Sequence, residues 1–178
     1  MLGPVRSAGV RARLGSWSGA GGSGLRILVL AVGRPERARF GPMFDDYAER
    51  VRRFGVPFDA RWVPQVRAGG RYSDDHVRER EARSLREALP GRCNVVALSP
   101  EGRSTPTESF ARRLEQWSEP LVVFVLGGPL GLDPAFRKTA DATLSLSPMT
   151  LPHELARVVL AEQIYRAVTI LRRVPYHK

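Results

Sequence analysis

Three stretches of the chain combine residue types that suit ligand chemistry. The first is Gly127-Gly128-Pro129-Leu130-Gly131, which follows a run of apolar residues. Glycines at the end of a strand let the backbone approach a ligand closely and adopt positive φ; the same glycines also serve a plain strand-to-helix turn. The second is Leu98-Ser99-Pro100-Glu101-Gly102-Arg103, after another short apolar run. The third is the segment Leu144-Ser145-Leu146-Ser147-Pro148-Met149-Thr150-Leu151-Pro152-His153-Glu154. Its prolines and hydroxyls prevent continuous helix before Pro152, which suits the first helical position. Such a segment presents unpaired backbone N–H and C=O groups beside apolar side chains, a combination that can hydrogen-bond an adenine edge. No GxGxxG opens a helix and no GxxxxGK[ST] occurs, so the dinucleotide and NTPase phosphate fingerprints are absent.

Histidine and cysteine are scarce. The three histidines are His76, His153 and His177. His76 follows Asp74-Asp75 at the start of a charged helix and reads as a solvated residue. His177 ends a polar, aromatic tail, Val174-Pro175-Tyr176-His177-Lys178. Glu162 and Arg166 are spaced i, i+4 in the order that favours pairing on a helix. The single cysteine, Cys93, excludes an intramolecular disulfide and any multi-cysteine zinc site. It reads as a small apolar residue beside a strand in a reducing compartment, and no metal site is expected.

These residues need elements to hold them. Residues 25–32 form a near-continuous apolar run stopped by Gly33, the pattern of a strand buried on both faces. A helix is predicted over about 41–54, with Met43, Phe44, Tyr47, Val51 and Phe54 at helical spacing. A second strand follows over 56–63, where Pro57 suggests an edge or a strand start. A charged helix over about 74–88 is closed by Pro90-Gly91. Further strands are predicted at 94–98, 121–126 and 142–146. Helices are expected over about 107–117, capped by Thr105 or Thr107, and over 134–140. The last helix, about 152–172, carries apolar residues on two sides: Leu160, Ile164, Ala167 and Leu171 on one, and Leu155, Val158 and Val159 on the other. A surface helix shows one stripe, so core on one side and a partner subunit on the other is the reading, with a fully buried monomer helix as the alternative. The alternation predicts an α/β fold with a mostly parallel sheet and helices on both faces.

With 178 residues the chain suits one domain, over residues 25–178. Residues 1–24 differ: three arginines, no acid and a Gly/Ser/Ala-rich finish. They read as a disordered N-terminal extension, an upstream start or a leader. An organelle transit peptide is a further reading of an arginine-rich, acid-free start. No apolar run approaches the roughly 20 residues of a membrane-spanning helix. The formal charge is +10, and only two of the 28 Lys+Arg residues are lysines (Lys138 and Lys178). Arginine-rich coding preference accounts for the ratio but not for the net charge, which suits a polyanionic partner.

Taken together, the motifs resemble a known family. Gly127-Gly128-Pro129-x-Gly131, then Leu144-Ser145-x-Ser147-x-Met149-Thr150-Leu151-Pro152-His153, then Arg157-Val158-x-Leu160-x-Glu162-Gln163-Ile164-Tyr165-Arg166-Ala167, then Tyr176-His177 are similar in order and spacing to the ribosomal RNA large subunit methyltransferase H family. The first half matches more loosely, through Ala31-Val32-Gly33 and Tyr47-x-x-Arg50. The resemblance implies a SPOUT fold with a C-terminal trefoil knot, a homodimer and a cytoplasmic, bacterial protein. It implies methylation of N3 of a pseudouridine in 23S rRNA by S-adenosyl-L-methionine, with the rRNA met in the assembled ribosome. The cofactor residues implied are Leu98, Gly127, Leu146, Ser147, Pro148, Met149, Thr150 and Leu151. His177 is the candidate base or orienting group, Tyr176 would place the substrate base, and Arg166 or Arg157 would hold a phosphate. Two positions depart from the pattern: Ser99 stands where relatives often carry Asp, and Leu130 where many carry Glu.

Other readings are an enzyme of the same kind acting on tRNA or another rRNA position, and a non-catalytic ribosome-binding module. The intact glycine turn, the 147–152 segment and Tyr176-His177 speak against the module.

Overall fold

The computed structural model describes residues 24–35, 39–67, 69 and 72–176. His177 and nearly all of the 1–24 extension lie outside the described residues. Five strands, β1 (Ile27–Val32), β2 (Phe58–Val63), β3 (Asn94–Ser104), β4 (Val122–Leu126) and β5 (Ala142–Ser145), form one sheet in the order β2-β1-β4-β3-β5. Every pairing is parallel. The helices are α1 (Gly41–Arg52), α2 (Asp74–Ala88), α3 (Thr107–Gln116), α4 (Pro134–Thr139) and α5 (His153–Leu171).

The apolar runs become strands because both faces of the sheet are covered. All six residues of β1 are fully buried. Ile27, Val29 and Ala31 face a core with Phe44 and Val51 of α1, Phe110 and Leu114 of α3, and Leu160 and Ile164 of α5. Leu28, Leu30 and Val32 face the second core with Ala82 and Leu85 of α2 and Phe136 of α4. The expected α/β architecture, with helices on both faces, is what the chain adopts. β2 lies at the sheet edge, as Pro57 suggested.

Three local expectations need correction. Met43 is half exposed, so α1 turns only Phe44, Ala48 and Val51 fully inward. α3 is capped by neither threonine: Pro106 holds the N-cap position without a side-chain hydrogen bond. Pro152 likewise occupies the N-cap of α5 rather than its first helical position.

The largest difference concerns β3, which runs well past Leu98. Residues 99–102 arch out of the ladder, and the chain then rejoins it, so Leu98 and Arg103 both pair with Leu144. Gly102 makes this possible, since a Cβ there would lie 2.6 Å from the Leu144 carbonyl carbon. Pattern reading stops at Leu98 because the arch breaks the alternation that marks a strand.

Candidate functional site

The carboxyl ends of β3, β4 and β5 open into a cleft of about 550 Å³, including its mouth. Its walls come from the three stretches with which the sequence is richest in ligand chemistry. The arch after β3 contributes Leu98, Ser99 and Pro100; the turn after β4 contributes Gly127, Gly128 and Gly131. The segment after β5 contributes Leu146, Ser147, Met149 and Leu151, and the first turns of α5 add His153 and Ala156.

The glycine turn folds back on itself. Gly131 N–H donates to the Gly128 carbonyl at 2.9 Å, and Gly131 holds φ of 78°. A Cβ on Gly127 would lie 2.4 Å from the Gly131 carbonyl carbon, so this position admits no side chain. On the opposite face of the sheet, Glu81 of α2 supports the turn. Glu81 is 3 % exposed; its Oε1 accepts from Val66 N–H at 3.0 Å, and the carboxylate lies against the Gly128 backbone, with Oε2 lacking a hydrogen-bond partner among the described residues. Burial raises its pKa, and the backbone at Val66 and Gly128 pulls it partly back.

The segment after β5 is shaped by its own hydroxyls. Ser145 Oγ donates to the Ser147 carbonyl at 2.8 Å, and Met149 N–H donates to Ser147 Oγ at 3.0 Å. This local competition with regular structure is the habit of serine in turns. The Met149 side chain is 74 % exposed at the cleft mouth. The arch is fixed from α4, where Arg137 Nη1 donates to Ser99 Oγ at 2.9 Å and pairs with Glu101.

Of the residues expected to hold a cofactor, Leu98, Gly127, Leu146, Ser147, Met149 and Leu151 come together in the cleft, whereas Pro148 and Thr150 are exposed and do not line it. Tyr176 and Arg166 form a second cluster further along α5. Arg166 binds Glu162 Oε1 through Nε at 2.9 Å and Nη2 at 2.6 Å, and its guanidinium lies 4.9 Å over the Tyr176 ring. Tyr176 also meets Tyr165 edge-on at 4.7 Å. The bond to Glu162 raises the Arg166 pKa, while burial raises that of Tyr176.

Arg157 is placed differently from a surface phosphate holder. It is 1 % exposed, donates from Nη2 to the Val32 carbonyl and lies 5.2 Å over Trp62. Its Nε and Nη1 have no hydrogen-bond partner among the described residues, and burial lowers its pKa.

Sequence reasoning missed Glu81 as a support and His153 as a cleft residue. Glu81 stands four residues after Val77 and four before Leu85, both buried, so a carboxylate on an apolar helix face was the available signal. The pKa of His153 is lowered, first by burial and then by Arg157, with Glu154 opposing. Among the described residues no group of three or more His, Cys, Asp or Glu could hold a metal ion, and no helix is long and apolar enough to cross a membrane.

The fold is an α/β one whose cleft lies at the carboxyl edge of a parallel sheet, the place where open sheets of this kind bind ligands. The family model described as predicted SPOUT methyltransferase matches residues 25–177, and the chain belongs to that family. It is similar to proteins named ribosomal RNA large subunit methyltransferase H. That of Gemmatimonas aurantiaca is 45% identical over 156 residues, 86% of this chain and 100% of the relative. That of an Anaeromyxobacter species is 42% identical over 156 residues, again 86% and 100%. That of Thioalkalivibrio sulfidiphilus is 40% identical over 156 residues, 86% and 99%. The resemblance carried by the C-terminal motifs is borne out.

Proposed function

We propose that this protein methylates N3 of a pseudouridine in 23S rRNA with S-adenosyl-L-methionine, in the bacterial cytoplasm. Family membership and the names of its relatives support an rRNA methyltransferase. The observation that carries the cofactor assignment is the convergence of the three strand-end segments on one cleft.

The cleft suits this cofactor in two respects. Leu98, Leu126, Leu144, Leu146 and Leu151 give an apolar slot for a flat purine, beside backbone at Gly127 that no side chain covers. No arginine or lysine among the described residues lines it, and His153 is biased towards its neutral form. A cationic sulfonium therefore meets no fixed positive charge. When bound, the cofactor supplies an electrophilic methyl group. Leu98, Gly127 and the 146–151 segment would hold it, with Pro148 and Thr150 contributing backbone.

The chain's own part in the reaction is to orient the target base and relieve N3 of its proton. Positioning supplies much of the rate in such transfers. Arg166, fixed by Glu162 and stacked on Tyr176, is suited to hold the substrate base and its phosphate, with His177 as the proton acceptor or its orienting neighbour. Arg166 lies ten residues beyond Ala156 of the cleft wall, about 15 Å along the helix. We infer a homodimer in which the Tyr176 end of one copy approaches the cleft of the other. The half-buried Leu155 and Val159 offer the apolar contact. The trefoil knot of the family belongs to this reading too.

Mass mapping of 23S rRNA from cells lacking the protein is the test. Loss of a single methyl from one pseudouridine is the expected result, and an unchanged map overturns the assignment. Sedimentation of the purified protein tests the dimer.

A further inference from the structure

A second concavity, of about 580 Å³, runs from the end of β3 along α3 to Gln116. We propose that it is a phosphate subsite for the RNA strand, formed by Arg103, Arg112 and Arg113 with the hydroxyls of Ser104, Thr105 and Ser109. This deepens the rRNA methyltransferase reading and rests on it.

Composition is the first argument: three arginines and three hydroxyl residues share this wall, and no carboxylate among the described residues lines it. The arginines are oriented without being neutralised. Arg112 Nη2 donates to Ser109 Oγ at 2.9 Å, and the Arg113 guanidinium lies 5.3 Å over Trp117. Three arginines of α2 have carboxylate partners instead: Arg78 pairs with Asp75, Arg83 with Glu79 and Arg86 with Asp133. The two carboxylates of α3, Glu108 and Glu115, do not line this wall, so its arginines meet no opposing charge within it.

An orphan atom is the second argument. Thr105 Oγ1 is buried and lacks a hydrogen-bond partner. A buried hydroxyl without a partner is costly, and since Thr105 lines this pocket, rotation about its Cα–Cβ bond would present the hydroxyl to a phosphate oxygen. Arginine forks and hydroxyls are the groups that bind phosphodiesters.

Position is the third. Arg103 pairs with Leu144, which also forms cleft wall. Adjacent strands lie about 4.8 Å apart, so a phosphate held here belongs to a nucleotide close to the one being methylated.

Methyl transfer to ribosomal RNA by the full chain, read as KM and kcat over a salt series, tests the subsite. For Arg103→Gln/Arg112→Gln we expect KM for RNA to rise about tenfold with kcat unchanged, because a contact remote from the reacting atoms is lost equally from ground and transition states. The slope of log KM against log salt should become shallower by about one to two. Calorimetry should show unchanged S-adenosyl-L-methionine affinity, which certifies the fold. A control with the same charge loss, Arg53→Gln/Arg83→Gln, should leave KM near the wild-type value. Wild-type KM in the pocket variant, or an equal rise in the control, overturns the subsite. Should the double variant fail to fold, Ser109→Asp puts a carboxylate in the pocket, and an unchanged KM there is equally fatal. If the wild-type protein itself methylates no rRNA, the parent reading fails, and fluorescence anisotropy with a single-stranded RNA oligonucleotide still decides the pocket.

Discussion

Gly127 and Gly131 lie so close that a Cβ on the first would sit 2.4 Å from the carbonyl carbon of the second. The contact is backbone on backbone, so no rotamer change relieves it. Gly127→Ala is expected to open the turn, destabilise the protein by about 1–3 kcal/mol and weaken S-adenosyl-L-methionine at least about tenfold. Gly131→Ala is a useful contrast. Its Cβ would meet nothing within 4 Å, and only its φ of 78° is unfavourable, which costs about 1–2 kcal/mol. Calorimetry giving both variants the same cofactor affinity would contradict this account.

Arg166 separates positioning from cofactor binding. Arg166→Lys keeps the charge but loses the fork on Glu162 and the planar face over Tyr176. Single-turnover methyl transfer should slow about 10- to 100-fold, a typical range for a misplaced group, while cofactor affinity stays constant. Tyr176→Phe keeps the ring contacts and should be milder than Tyr176→Ala. Wild-type turnover in Arg166→Lys and in both Tyr176 variants would remove this cluster from the mechanism.

Glu81 links support of the cleft to pH. Its folded pKa is raised by burial, so its contribution is most favourable below the ordinary glutamate value and is lost as pH rises through the raised one. Glu81→Gln removes that dependence. The difference in melting temperature between variant and wild type should therefore shift in the variant's favour as pH increases across that window. Cofactor affinity should nevertheless fall, because Val66 loses a charged acceptor and the Gly128 backbone its charged neighbour. A melting difference independent of pH would rule out this role of the carboxylate.

His153 titrates in the opposite sense. Its folded pKa is lowered, chiefly by burial, so the folded state favours the neutral ring. The resulting stability is present above the unfolded value and is lost as pH falls through the folded one. His153→Gln should flatten the acid side of the stability curve, as followed by thermal melts from neutral to mildly acidic pH. An unaltered acid limb would assign that loss to other groups.

Much of the fold was legible because buried parallel strands announce themselves as apolar runs, and β1 and β4 do so unambiguously. The cleft was legible for a related reason: Gly127, Gly131 and the proline-bounded 146–151 segment are anomalies that only a turn or a ligand explains. What remained hidden depends on partners distant in sequence. Nothing near Glu81 reveals that Val66 and Gly128 will meet it, and nothing near Arg157 reveals that Val32 will. The arch at residues 99–102 was unreadable because its pairing with Leu144 is set by tertiary register, not by local periodicity. Arg166 and Tyr176 stand out in the sequence as a pair, yet the distance of Arg166 along α5 from the cleft follows only from the helix being continuous.

The shared partnership of Leu98 and Arg103 with Leu144 also has a mechanical meaning. Tension applied through α5 along the axis of β5 loads the attachments on both sides of the arch in shear, so they must yield together instead of peeling in turn. β5 and β2 both edge the sheet, so the doubled attachment at Leu144 should make β5 the more resistant of the two in a single-molecule pulling experiment.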